Sequence, residues 1–282
     1  MTHEAQRKAA ATAEIMGTMV SVQVIGADQA DPDVSAAISD CFAQLRDVDR
    51  VFSPYRADSD VCRIQRGELD IVSADPRMAE VVDACARAEV QTRGRFSANW
   101  RGTFDPTGYV KGWAVEQAQR LCLLPLLETG KAIAVALNAG GDMQLSTAAD
   151  ASWEWRIGIA DPRRAGHLVS TLEIRNGAIA TSGPAERGTH IVDPRTGGSA
   201  RGVASATVVA RSLADADVWA TAAVVAGMQD LSWLQAAGQT NGLIVGDDGS
   251  FRRWAHGVEL TQAADLTAGA ETDSYRMTWP AA

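Results

Sequence analysis

The pair Asn176-Gly177 stands between two apolar runs, residues 168–174 and 178–182. Asn-Gly in that setting is the strongest short-range signal for a two-residue hairpin, because both residues accept positive φ. The hairpin so expected delivers the second run into a polar stretch. That run turns polar at Thr181-Ser182-Gly183. Two residues then separate His190 from Asp193-Pro194, and the stretch ends in Arg195-Thr196-Gly197. Imidazole, carboxylate and hydroxyls crowd into residues 178–197, as they do where flanking strands hold a reactive loop. His190 is one of only four histidines, and imidazole titrates near neutral pH. It is therefore a candidate general base with Asp193 to orient it. The plainer alternative is a structural histidine that pins the turn to Asp193.

The rest of the chain supplies strands and amphipathic helices. Residues 1–13 read as a frayed, disordered start. Residues 14–25 read as one strand, with Val20, Val22 and Val24 alternating with polar residues. Asp31-Pro32 is a helix start, an N-cap acid followed by proline. Val34, Ile38, Cys41, Phe42, Leu45 and Val48 then recur at helical spacing. Asp58-Ser59-Asp60 caps a further short helix, and residues 76–92 form another. Residues 95–112 are a loop rich in glycine and hydroxyls that runs into a helix from Trp113. A loop of this kind aims backbone N–H groups outward and suits an anion, or else is a tight connection. Strands are expected at 133–137, 155–160, 168–174 and 204–210, and a closing one at 242–245, with a short helix at 231–237 before it. Residues 261–282 read as a polar tail.

Composition removes several functions. The chain has 282 residues, 46% of them apolar, enough for a sizeable core. Twenty-six basic residues against 35 acidic ones give a net charge of −9, which argues against a general nucleic-acid surface. No apolar run is long enough to cross a bilayer as a helix. Cys41, Cys62, Cys85 and Cys122 show no paired spacing and read as small buried hydrophobes of a reduced compartment. With no apolar signal core near Met1, a cytoplasmic location is the expectation.

One helix carries chemistry. Ser212 begins a capping-box pattern, and the helix from 213 to 226 places Asp217 and Thr221 one turn apart on a single face. Its neighbours are apolar, so the carboxylate is partly buried and needs a partner. Asp217 either complements the helix dipole or, with Thr221, offers oxygen to a hard cation such as Mg2+.

Six pieces in order resemble the ApbE family, the FAD:protein FMN transferases. They are Met16-Gly17-Thr18, residues 52–56 (FSPYR), 104–116 (FDPTGYVKGWAVE), 138–142 (NAGGD), the ATSG…HIVDPRTG stretch, and 216–222 (ADVWATA). Together they span most of the chain. The resemblance implies a single α+β domain over 14–260, ApbE-like and related to the T-fold, with mixed or antiparallel sheets and packed helices. It implies an enzyme that moves the FMN half of FAD onto a Ser or Thr of an acceptor flavoprotein with a D-x-x-[ST]-G-A-[ST] motif, releasing AMP. By position, Mg2+ falls to Asp217 and Thr221 with the backbone oxygens of Gly108 and Ala220. FAD falls to Met16, Tyr55, Ser97, Ala98, Asn99, Asp105 and Lys111, and the acceptor proton to His190. An FAD pyrophosphatase and a non-catalytic FAD-binding protein remain as alternatives.

Overall fold

The computed structural model describes residues 7–184, 191–260 and 274–276. Among them, strands buried on both sides decide the layering. Strand β3 (Ala134–Ala139) sends Val135, Leu137 and Ala139 into one core and Ala134 and Ala136 into a second. The same alternation recurs in β7 (Gly177–Ser182), with Ala178 and Ala180 on one side and Ile179 on the other. These strands read as continuous apolar runs because both faces are covered.

The sheet they belong to has nine strands in the order β1-β2-β3-β4-β7-β8-β9-β10-β11. Its members are β1 (Lys8–Ile15), β2 (Thr18–Ile25), β3, β4 (Asp142–Thr147), β7, β8 (Val203–Ala210), β9 (Asn241–Gly246), β10 (Phe251–Ala255) and β11 (Val258–Glu259). Every neighbouring pair in it is antiparallel. A smaller sheet of β5 (Trp155–Ala160), β6 (Leu168–Ile174) and β12 (Ser274–Arg276) covers one face. Trp155, Ile159, Leu172 and Ile174 pack there against Leu145, Ile179, Val209 and Val245.

Helices cover the other face. Five lie between β2 and β3: α1 (Pro32–Phe52), α2 (Asp60–Gln65), α3 (Arg77–Gln91), α4 (Thr107–Ala118) and α5 (Leu124–Glu128). Asp31 caps α1 by accepting from the Asp33 amide, and Ser59 caps α2 by accepting from the Cys62 amide. Helix α6 (Leu213–Ala226) follows β8, and Ser212 Oγ accepts from the Asp215 amide at its start. Ten of the fourteen α6 residues are buried, including Asp217 at 5% exposure. All four cysteines are free, and burial pushes the Cys41 and Cys85 thiols up to about 12.

Several expectations are corrected. Residues 8–13 are not a frayed start. They form β1, which pairs residue for residue with β2, and Met16-Gly17 is the turn between them, with φ of 56° and 68°. The alanine-rich strand has little intrinsic β preference, and its partner supplies the order. Asn176-Gly177 closes no hairpin, because β6 and β7 belong to different sheets. Asn176 Oδ1 instead accepts from the Thr147 amide at 2.8 Å, and Thr147 Oγ1 donates to the Arg175 carbonyl at 2.8 Å. The turn thus hands the chain from the small sheet to the large one. Helix α4 starts at Thr107 rather than Trp113. Residues 231–237 are successive turns held by bonds such as Leu234 N to Leu231 O. Trp233 anchors them, stacked 5.8 Å from Trp219 and edge-on 5.1 Å from Trp254. Strand β9 is not the last, since β10 and β11 extend the sheet, and β12 within the expected tail pairs parallel with β6.

Candidate functional site

The loop from 95 to 106 is tied down at both ends. Thr92 Oγ1 accepts from the Phe96 amide at 3.1 Å, and Ser97 Oγ donates to Glu89 at 2.9 Å. Gln65 Nε2 reaches across to the Phe104 carbonyl at 2.7 Å. Asp105 Oδ1 accepts from both the amide and the hydroxyl of Thr107, at 3.2 and 2.7 Å. That places a carboxylate just ahead of the first turn of α4, where the helix dipole favours it. Gly108 lies against the Phe96 ring, which a Cβ would approach to 3.1 Å.

Helices α4 and α6 cross where α4 has no side chain. A Cβ on Gly112 would meet the Leu213 carbonyl oxygen at 2.7 Å and the Ala214 nitrogen at 2.8 Å. The close approach turns Lys111 toward α6. Its ammonium forms ion pairs with Asp142 and, at 3.3 Å, with Asp217. Asp142 and Asp217 are buried, with side chains 4% and 7% exposed, and Lys111 is partly buried at 16%. One turn beyond Asp217, Thr221 Oγ1 lies 3.3 Å from Ser182 Oγ.

A second contact braces the same helices. Ser212 Oγ donates to Glu116 Oε2 at 2.7 Å. Burial pushes the Glu116 carboxyl above its ordinary 4.5, with the Ser212 hydrogen bond opposing. The folded state therefore holds a proton that the unfolded state has released between the ordinary and the raised pKa, so stability falls as pH rises through that window. Glu116→Gln keeps the accepting oxygen and removes the titration. Its Tm is expected to exceed that of the wild type at about pH 7.5 and to converge with it below about pH 4. A Tm difference equal at both pH values contradicts the assignment.

A pocket with a cavity volume of about 170 Å3, open to solvent, lies at the start of α4. Ser97, Asp105, Gly108, Lys111, Asp217 and Thr221 all line it. Ala98, Asn99, Met16, Tyr55 and Ala220 do not line it: Ala98 and Ala220 are buried, Asn99 and Tyr55 are exposed, and Met16 packs on the main core. His190 lies outside the described residues, but Ile191 and Val192, which follow it, are in the pocket wall. Both Asp193 oxygens are taken by Arg195, at 2.9 Å each, which holds the carboxyl below the usual range.

Sequence reasoning did not name Asp142, Trp100 or Ile191 as site residues, whereas the Thr181-Ser182 edge that it singled out does line the pocket. Asp142 carried a signal, an acid opening a strand that is otherwise largely buried. A buried charge demands a partner.

The donor set suits a hard cation. Among the described lining residues there is neither cysteine nor histidine, and the groups able to ligate a metal are carboxylate, hydroxyl and backbone oxygen. Among the described residues no group of three or more His, Cys, Asp or Glu is arranged to hold a metal. A cation here takes few protein ligands, the pattern of Mg2+ bound with phosphate and water. Asp217 and Thr221 would hold it. A helix start, an ammonium and a carboxylate–hydroxyl pair around one pocket are groups that can receive a phosphate.

Comparison with known proteins gives the family. The model of the ApbE family matches residues 16–103 and 98–244, and the chain belongs to that family. A protein of Rhodobacter capsulatus named FAD:protein FMN transferase is 37% identical over 167 residues, which cover 55% of this chain and 30% of that protein. The chain thus matches under a third of that relative's length. The solved ApbE protein of Thermotoga maritima superposes with a TM-score of 0.74 at 22% identity, covering 88% of this chain and 97% of the other. Flavin transferase ApbE of Vibrio cholerae gives 0.69 at 21% identity, with coverages of 89% and 97%. Both share this mixed fold of helices and antiparallel sheet. Among the described residues, no helix is long and apolar enough to cross a membrane.

Proposed function

We propose that this chain is a Mg2+-dependent FAD:protein FMN transferase, acting on a Ser or Thr of a flavoprotein acceptor with a D-x-x-[ST]-G-A-[ST] motif. The observation that carries the reading is the meeting of Lys111, Asp217 and Thr221 in one pocket. It supports the reading because this is an ApbE chain and the reaction breaks a pyrophosphate. The acceptor oxygen forms a bond to the FMN phosphorus, the P–O–P bond breaks, and AMP leaves with the electron pair.

Each residue has a task. Asp217 and Thr221, with backbone oxygens of Gly108 and Ala220, hold Mg2+, which when bound supplies positive charge at the phosphoryl oxygens. Lys111 adds a point charge beside the pyrophosphate. The first amides of α4 face the same anion. Asp105 and Ser97 orient the FAD, with Met16, Tyr55, Ala98 and Asn99 as outer contacts. His190, next to the Ile191 wall, takes the acceptor proton. The catalytic unit spans 14–260, extended at its start by β1 and joined by β12 from the segment after it. The free thiols fit a reducing, cytoplasmic setting.

The test is AMP release from FAD with Mg2+, with and without a peptide carrying the acceptor motif. Release that requires the peptide is expected. Release without it makes the protein an FAD pyrophosphatase, and no release in either arm leaves an FAD-binding protein.

A further inference from the structure

Asp142 is the least exposed of the three charged groups at the site, yet it does not line the pocket. It opens β4 after Gly140-Gly141, whose φ values are 64° and 101°. The Gly141 amide donates to Asn138 Oδ1 at 2.9 Å, and a Cβ on Gly140 would strike Thr18 Oγ1. The turn is thereby seated on β2. Strands β4 and β7 pair from Met143↔Ile179. Past that point Asp142 Oδ1 accepts from the Thr181 amide at 2.9 Å, replacing a ladder bond with a side chain. Its other oxygen, Oδ2, pairs with Lys111 Nζ. Both oxygens are engaged, one with β7 and one with α4.

Lys111 is thus shared between two carboxylates on different elements, and Asp142 is the nearer. We propose that Asp142 is a positioning residue for Lys111. It draws the ammonium off Asp217 and leaves that carboxylate's charge to a divalent cation. The inference rests on the reading of Asp217 as a cation ligand. Without the Asp142 charge, Lys111 still faces Asp217 at 3.3 Å, and ammonium and cation compete for that carboxylate. Buried ion pairs are strong enough for that competition to be felt, because little water screens them. The Thr181 bond has a second effect: it holds the end of β7, which carries Ser182 beside Thr221.

The test uses the full chain and MnCl2 as probe, reading free Mn2+ by its electron paramagnetic resonance signal. Asp142→Asn keeps an oxygen for the Thr181 amide and removes the charge. It is expected to weaken Mn2+ binding tenfold or more. In a Lys111→Met background the same change is expected to alter the Kd less than threefold, since the competitor is gone. Equal weakening in both backgrounds overturns the proposal, because Asp142 then acts by its own charge, and so does an unchanged Kd in Asp142→Asn. Should Asp142→Asn not fold, Asp142→Glu displaces the charge instead, and its weakening is likewise expected to vanish with Lys111→Met. Failure of the underlying reading looks different: Asp217→Ala would bind Mn2+ as tightly as the wild type.

Discussion

Replacing Asp217 with alanine is expected to slow Mg2+-dependent AMP release from FAD by about 10³-fold. Phosphoryl transfer depends chiefly on charge stabilisation and positioning, and one preorganised group is worth about 10²–10³ in rate. Asp217 does both. It is buried on α6, one turn from Thr221, and 3.3 Å from Lys111. On the proposed reading its loss removes the cation's carboxylate, and it also removes the Asp217 side of the Lys111 ion pairs. His190→Ala removes a general base, worth about 10²–10⁴. Single-turnover rates should show Asp217→Ala costing at least as much. An Asp217 variant near wild type beside an inactive His190 variant would make the metal assignment wrong.

The second large effect is expected far from any ligand atom. Gly112→Ala places a methyl group 2.7 Å from the Leu213 carbonyl oxygen, and that neighbour is backbone and cannot rotate away. Overpacking of this kind costs about 1–3 kcal/mol. In a domain of this size each kcal/mol lowers Tm by about 2–4 °C. The relief available is to part α4 from α6, which moves Lys111 relative to Asp217. A misplacement of about 1 Å is worth about 10²-fold in rate. Gly112→Ala is therefore expected to lose both several degrees in Tm and about two orders of magnitude in activity. A variant with lowered Tm and full activity would show that the crossing does not set the site geometry.

Helix boundaries with chemical punctuation were legible. Asp31-Pro32 and Ser212 marked α1 and α6 because a cap is a local interaction, satisfied within three residues. Strands without such marks were not. Strand β1 (Lys8–Ile15) is half alanine, and only its pairing with β2 makes it a strand. The Asn176-Gly177 turn was visible, but its destination was not. Local sequence encodes positive φ, whereas which sheet each flank joins depends on what each flank buries. The polar tail hid β12 for the same reason.

The site divides along the same line. Asp217 and Thr221 share a face by helical spacing alone, so they could be paired from sequence. The arrangement of Asp142 with Lys111 needs the register of β4 on β7 and the crossing at Gly112, which no local pattern states. The motif around Asp105 was legible as a loop before a helix. Its carboxylate as a cap on Thr107 was not, because α4 starts six residues earlier than its apolar spacing suggests.

The most direct test of the central claim is the mass of an acceptor peptide after incubation with this protein, FAD and Mg2+. The account predicts one FMN added per peptide at the Ser or Thr of its motif, with one AMP released for each, and neither with Asp217→Ala. A peptide of unchanged mass while AMP accumulates, or labelling that persists in the Asp217 variant, would contradict it.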